Sequence, residues 1–240
     1  MKISLVIPAH NEEACLGGCL DSVLEHAYGR FCEIIVVDNA STDRTAEVAR
    51  ARPSVRVVHE ADKGLTKARQ RGFEEAVGDY VAYIDADTRL PPQWFDTVEA
   101  TFGAHPDAVA LSGPAKYWDA TPAQRALLAA SWWLAAPLAY RLVGYMIYGA
   151  NFIARRDAIA AIGGFDRTID FYGEDTDLAR RLSLQGKVLF RMKLFIYTSA
   201  RRFRKEGLLK TNLGYILNFV WPVLFGRPLT RTHNDIRADT

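Results

Sequence analysis

Tyr80-Val81-Ala82-Tyr83-Ile84-Asp85-Ala86-Asp87 decides the fold: an apolar, strand-forming run stops in two carboxylates one residue apart. Side-chain direction repeats every two residues along an extended backbone, so Asp85 and Asp87 face the same side and can address one ion. Toward the N-terminus the same design recurs. Ile3-Ser4-Leu5-Val6-Ile7-Pro8, Glu33-Ile34-Ile35-Val36-Val37-Asp38 and Val55-Arg56-Val57-Val58-His59 are short β-branched runs, and polar, helix-compatible stretches begin at Glu12, Asp43 and Leu65. This alternation specifies βαβ units. Strands apolar on both sides predict an α/β protein with a parallel sheet covered by helices on both faces.

Ligands of such sheets bind beyond the carboxyl ends of the strands. Those positions here are polar: His10-Asn11-Glu12-Glu13, Asp38-Asn39-Ala40-Ser41-Thr42-Asp43 and Asp85-Ala86-Asp87. Ser41, Thr42 and Asp43 can cap the helix that follows, which accounts for one loop. Capping does not account for acidic residues at three strand ends. A DxD sequence is common by chance, but this one follows a buried strand and faces two other acidic loops. Hard oxygen ligands with open positions suit Mg²⁺ or Mn²⁺, which would take further oxygens from a diphosphate. The rival dinucleotide site needs a GxGxxG turn after the first strand, where the chain instead reads Pro8-Ala9-His10-Asn11-Glu12-Glu13. No GxxxxGK[ST] loop occurs either.

From Pro91 the rhythm changes. A helix is expected to begin at Pro91-Pro92, a strand at Val109-Ala110-Leu111, and a long apolar stretch runs from Ala126 to Tyr148. No linker composition separates the halves, so two lobes sharing one core are expected: 1–113, 114–200, and a basic, apolar tail at 201–240. Within the second lobe, Phe171-Tyr172-Gly173-Glu174-Asp175-Thr176-Asp177 crowds carboxylates at a helix start. Acidic residues in a first turn stabilise a helix by about 0.3–1 kcal/mol each. A carboxylate facing a cleft there can equally take a proton from an acceptor hydroxyl. Both readings stand on the residues alone.

In this order, the segments VIPAHNEE, VVDNASTD, KGLTKARQRGFEEAVGDYVAYIDADT, GGFD and GEDTDLARRLSLQG resemble the family 2 glycosyltransferases, over roughly Ile3 to Gly186. The resemblance implies a GT-A fold, in which a Rossmann-like nucleotide-binding half, with a mostly parallel sheet and helices on both faces, merges with an acceptor-binding half, and an inverting transfer from a nucleotide-diphosphate sugar. It assigns Pro8, Ala9, Glu12 and Asp38, with Asn39 and Ser41, to the base and ribose. Lys63, Gly64 and Arg69 match the segment beside the nucleotide, where Lys63 replaces a frequent asparagine. Asp87 matches the direct metal ligand, and Asp85 with Ala86 completes the motif, Asp85 reaching ribose or metal-bound water. Asp175 matches the catalytic base, Glu174 its acidic neighbour, and Gly173 precedes them at the acceptor pocket. Many members supply a later histidine to the metal, whereas this chain has Tyr197-Thr198-Ser199-Ala200-Arg201-Arg202. Arg201 and Arg202 can clamp phosphate or acceptor, or form a solvated basic face. Uridine diphosphate is the commonest donor half among such relatives.

With 30 basic and 28 acidic residues the net charge is only +2, so no global field points to nucleic acid. Cys15, Cys19 and Cys32 are expected as reduced, buried thiols, and His10, His26, His59, His105 and His233 are too scattered for a zinc site. The start of the sequence has no signal-peptide pattern, which predicts a cytoplasmic protein. The stretch 126–148 is long enough to span a bilayer, but Pro137 and Arg141 interrupt it, and a charge at the bilayer centre costs about 2.5–3.5 kcal/mol. Three readings remain: a core helix, a dimer face, or an apolar face in the membrane interface with Trp132, Trp133 and Tyr140 as anchors. The basic Arg201, Arg202, Arg204 and Lys205, ahead of Leu208-Leu209 and the apolar Tyr215-Trp221 run, extend the last reading to a peripheral enzyme with a lipid-linked hydroxyl acceptor. Two rivals differ in product: a binder that has lost turnover would have a damaged acid motif, and a nucleotidyltransferase would want a glycine-rich basic loop after the first strand. Neither feature is present.

Overall fold

The computed structural model describes residues 1–169 and 173–225. Phe171, Tyr172, His233 and the tail beyond 225 lie outside the described residues. In chain order the strands are β1 (Ile3–Ala9), β2 (Glu33–Asn39), β3 (Val55–Glu60), β4 (Tyr80–Ile84), β5 (Ala108–Ser112), β6 (Ala115–Tyr117), β7 (Asn151–Arg155), β8 (Lys187–Phe190) and β9 (Ile196–Thr198). The helices are α1 (Leu16–Ala27), α2 (Thr45–Arg50), α3 (Leu65–Glu75), α4 (Trp94–Ala104), α5 (Pro122–Ala130), α6 (Ala136–Val143), α7 (Arg156–Ala161), α8 (Glu174–Ser183), α9 (Arg201–Glu206) and α10 (Leu208–Phe225). The helix expected at Pro91-Pro92 starts at Trp94, after a turn through those prolines.

One sheet in the order β3-β2-β1-β4-β7-β5-β8 organises the molecule, with β6 and β9 forming a small second sheet. β1 through β4 pair in parallel, as the alternating strand and helix signals require. β7 is antiparallel to both neighbours, β4 and β5, and β5 is parallel to β8. Successive residues of β1 and β2 feed opposite cores. Ile3, Leu5, Ile7, Ile34 and Val36 join the core that includes Leu16, Leu20 and Val23 of α1; Val6, Ile35 and Val37 join the core that includes Ala68 of α3. Burial on both faces is why these strands are continuously apolar. α3 lies so close to β1 that a Cβ on Gly72 would fall 2.2 Å from Val6 Cγ1.

The sheet does not stop at residue 113: β5 bonds to β7 and β8, so one seven-stranded sheet takes strands from both sides of that position. The apolar stretch near 126–143 forms one 22-residue helical run, Pro122–Val143, with a π-helical turn at Ser131–Ala135 between α5 and α6. Pro137, just after that turn, has no N–H for the helical ladder, and a wider turn relieves its ring against the preceding carbonyl. A Thr121–Gln124 capping box starts the run and Gly144, at φ 84°, ends it. Of the three cysteines only Cys19 is buried. Cys15 is half-buried and Cys32, at the entry to β2, is exposed, which corrects the expectation of three buried thiols.

Candidate active site

The loops after β1 and β2 lock onto each other. Asn11 and Ala40 take left-handed backbone, at φ 51° and 52°, and the two chains then exchange hydrogen bonds. Asn11 N–H donates to Ser41 Oγ (3.1 Å) and Thr42 N–H to Asn11 Oδ1 (2.8 Å). Glu12 N–H donates to Thr45 Oγ1 (2.7 Å). Asp43 Oδ1 accepts from Thr45 N–H (2.9 Å), but the N-cap position of α2 is Arg44, which makes no side-chain cap bond, so the expected capping by Ser41, Thr42 or Asp43 is not what this polarity provides. Asp38 accepts from Ser41 N–H (3.3 Å) and faces His59 Nδ1 (3.4 Å). Asn39 reaches the next connection. Its amide donates to the carbonyls of Glu60 and Asp62 and accepts from Gly64 N–H (2.8 Å), which fixes the backbone carrying Lys63 and Gly64.

β4 ends at Ile84 and the chain then turns, Thr88 N–H donating to the Asp85 carbonyl (3.0 Å), so a turn rather than the expected extended run brings Asp85 and Asp87 to the main cavity while Ala86 is buried in the core. Asp87 is the more enclosed carboxylate. Thr198 Oγ1 donates to its Oδ1 (3.2 Å), and Arg201 Nε sits 3.1 Å from its Oδ2. The same guanidinium forks onto both carboxylate oxygens of buried Glu12, one at 2.8 Å. The Glu12 and Asp87 carboxylates raise the Arg201 pKa, fixing its charge. Burial alone would lower it. Arg201 therefore does not belong to a solvated basic face. Arg202 is mostly buried, lines the cavity and pairs with Glu206 (3.3 Å).

The opposite wall is the start of α8. Gly173, at φ 86°, turns the chain into the helix, and Glu174 and Asp175 follow directly. Arg69, 2% exposed, joins this wall to β4: Nη1 reaches Glu174 (3.2 Å), and Nη2 reaches the Gly149 carbonyl (2.8 Å) and Asp85 (3.5 Å). Gly149 N–H in turn donates to Asp175 Oδ2 (3.3 Å), and Thr176 N–H to Asp175 Oδ1 (2.7 Å). A Cβ on Gly149 would come within 2.9 Å of Arg69 Nη2, so glycine is what lets this hub form. Burial pushes both carboxyl groups up. The charge on Asp175 raises Glu174 further, to about 7, against the pull of Arg69. Asp175 also accepts two backbone N–H groups, which favour its carboxylate against the effect of burial.

These groups open onto one cavity of about 920 Å³. Of the residues singled out in the sequence, Pro8, Ala9, Asn39, Lys63, Gly64, Arg69, Asp85, Asp87, Gly173, Glu174, Asp175, Arg201 and Arg202 line it. Glu12, Asp38, Ser41 and Ala86 do not; they lie behind or beside the wall, Glu12 through its grip on Arg201. Sequence reasoning missed His10, whose Nδ1 lies 2.7 Å from the Asn39 carbonyl and which lines the cavity, and also Gly149 and Thr198. His10 directly follows β1, in the polar loop at the strand's end; Gly149 carries no local signal.

Among the described residues no group of three or more His, Cys, Asp or Glu surrounds a common point. Asp85 and Asp87 nevertheless fit Mg²⁺ or Mn²⁺, because Mg²⁺ is usually held by one or two carboxylates completed by phosphate oxygens and water. Both are hard oxygen donors on the cavity wall, and Asp85 meets Arg69 through one oxygen only.

The family model described as "Glycosyl transferase family 2" matches residues 4–163, more than half of the 240-residue chain. The chain belongs to glycosyltransferase family 2. A similar curated relative is the dolichol-phosphate mannosyltransferase of Pyrococcus furiosus, 40% identical over 97 residues, 39% of this chain and 28% of that protein. Another is the undecaprenyl-phosphate 4-deoxy-4-formamido-L-arabinose transferase of Pectobacterium carotovorum, 36% identical over 100 residues, 38% of this chain and 31% of that protein. The matches take in only 28–35% of the first curated relatives' own lengths. Among solved structures, the mannosyltransferase PcManGT of Pyrobaculum calidifontis, in complex with GDP-Man and Mn²⁺, superposes with a TM-score of 0.71 at 19% identity, over 95% of this chain and 65% of that one. This likeness establishes the GT-A fold of the family 2 chain.

Proposed function

We propose that this family 2 member transfers a glycosyl group from a nucleotide-diphosphate sugar to an acceptor hydroxyl, with inversion at the anomeric carbon. The observation that carries the reading is the shared cavity: a DxD pair on one wall faces, across buried Arg69, a carboxylate pair whose Asp175 accepts two backbone N–H groups. Family membership and the GT-A fold add support, since PcManGT is named for a nucleotide sugar and Mn²⁺.

In this reading Pro8, Ala9, Asn39, Lys63 and Gly64 form the nucleotide end, and Asp38 and Ser41 brace the loop. The lobe 1–113 holds the donor and 114–200 the acceptor and base, while Arg201 returns from the tail to the donor side. The donor base is taken as uracil. Asp85 and Asp87 would hold Mg²⁺ or Mn²⁺, whose chemistry is to offset charge on the departing diphosphate. Asp175 accepts the acceptor's proton as the hydroxyl oxygen bonds to the anomeric carbon. The bond from that carbon to the diphosphate breaks on the opposite face, and its electron pair leaves with the nucleoside diphosphate. No covalent enzyme intermediate is needed. Arg69 joins the two walls and, paired with Glu174, offsets the charge that this carboxylate carries when ionised. The acceptor hydroxyl is assigned to a lipid-linked molecule; the two relatives named for dolichol phosphate and undecaprenyl phosphate support the lipid, their names giving a phosphate rather than a hydroxyl.

Product analysis with a panel of nucleotide sugars tests the reading. Free nucleoside diphosphate with a glycosylated acceptor is expected; pyrophosphate would indicate nucleotidyl transfer, and binding without turnover an inactive binder. Asp175→Asn should lower kcat at least about a hundredfold, the usual scale for a positioned acid or base, with nucleotide affinity nearly unchanged. Full activity in that variant would reject Asp175 as base.

A further inference from the structure

Beyond its carboxylates the cavity of about 920 Å³ has an extensive apolar lining. Its floor holds the carboxylates, but its far walls come from two helices: Leu128, Trp132 and Ala136 of the Pro122–Val143 run, and Phe219 and Val223 of α10, with Met146 between. Trp132 is fixed there by stacking on Phe190 at 15° and by an edge contact to Tyr148. An unsubstituted sugar would leave this arm without a partner, whereas a hydrocarbon chain would fill it.

The arm opens onto an apolar surface. Leu134, Leu138 and Leu142 recur every fourth residue and are 73%, 60% and 79% exposed. On α10, Leu213, Leu217 and Val220 repeat at helical spacing and are also exposed. Leu142 and Val220 both line the cavity and face solvent, so the two stripes meet at its mouth. Basic residues accompany them: Arg202 inside the cavity, and Arg204, Lys205 and Lys210 exposed beside α10. Apolar stripes with a basic flank suit the interface of an anionic bilayer.

The 22-residue run does not cross that bilayer. A span would leave its ends about 30 Å apart on opposite sides. Here the chain before it pairs in β6 with β9, the chain after it enters β7 beside β4, and its middle packs on Phe190. A run held at both ends and the centre lies along the body, in the plane of the interface. A second copy on the same stripes would close the mouth of the cavity; a bilayer would supply it.

Resting on the transferase reading, we propose that the acceptor is a bilayer amphiphile, a hydroxyl-bearing headgroup joined through phosphate to a hydrocarbon chain. The chain enters between α6 and α10, the phosphate sits near Arg202, and the outer stripes dock on the anionic membrane. The headgroup oxygen bonds to the anomeric carbon, its proton passes to Asp175, and the nucleoside diphosphate leaves with the electron pair.

The test is flotation of the full chain with vesicles of phosphatidylglycerol and phosphatidylcholine at low salt, alongside uridine diphosphate binding with Mn²⁺. Wild type should float with the anionic vesicles. Leu134→Asp/Leu138→Asp, outside the cavity wall, should lose binding about tenfold or more while retaining nucleotide affinity. Phosphatidylglycerol with brominated chains should quench tryptophan emission in wild type more than in Trp132→Phe. Protein left at the bottom of the gradient, flotation indifferent to the leucine changes, or quenching unaltered in Trp132→Phe would overturn the inference. A dimer in sedimentation that Leu134→Asp/Leu138→Asp dissociates would overturn it in favour of a second copy. Loss of nucleotide binding with flotation intact would instead strike the transferase reading beneath it.

Discussion

At the scale of the residue, the decisive arrangement is one buried guanidinium serving two walls. Arg69 touches both Glu174 and Asp85, so the acid motifs are electrostatically joined before any ligand enters. Its effect on pH dependence has a definite sign. Glu174 is raised by burial, then by the Asp175 charge, from 4.5 to about 7. Folding therefore favours its protonated form, and that contribution is full below about 4.5 and disappears as pH rises through about 7. Melting temperature of the unliganded protein should fall across this window, and Glu174→Gln should make the fall shallower. Parallel curves for the two proteins would contradict the assignment. The sequence revealed the carboxylates because they follow a strand end and open a helix. It left Arg201 between a phosphate clamp and a solvated face, since pairing with Glu12 spans 189 residues and depends on how the tail returns. Gly149 was illegible for the same reason: its requirement is set by Arg69, eighty positions away.

Among the elements, α3 links stability to the site. It presses Gly72 on Val6 of β1 and carries Arg69 one turn earlier. Gly72→Ala adds a methyl where 2.2 Å is available, and overpacking of this kind costs about 1–3 kcal/mol. Chemical denaturation should show that loss with nucleotide affinity also reduced, because Arg69 shifts with the helix. An unchanged denaturation midpoint would mean that α3 yields freely. The strands β1, β2 and β4 were legible as apolar runs ending in polar residues. The antiparallel direction of β7 was not, since nothing in Asn151–Arg155 records the path by which the chain arrives. The apolar stretch was readable as helix with an awkward proline. Its position along the body, with Leu128 and Ala136 buried and its leucine stripe bare, became visible only from the packing.

For the whole molecule, one sheet takes strands from as early as β1 and as late as β8, and the cavity takes walls from residues as far apart as Pro8 and Val223. The α/β class and the convergence of strand ends follow from alternation and polarity. The apolar arm does not, because it is made by two helices distant in sequence that meet only in three dimensions. The account rests on Asp85 and Asp87 forming the cation-dependent grip on a nucleoside diphosphate. Calorimetric titration of uridine diphosphate, with and without Mn²⁺, into wild type and Asp87→Ala measures it most directly. Wild type should bind about tenfold or more tightly with Mn²⁺, and Asp87→Ala should lose that gain. Equal affinity of wild type with and without Mn²⁺, or an undiminished Mn²⁺ effect in Asp87→Ala, would contradict the account.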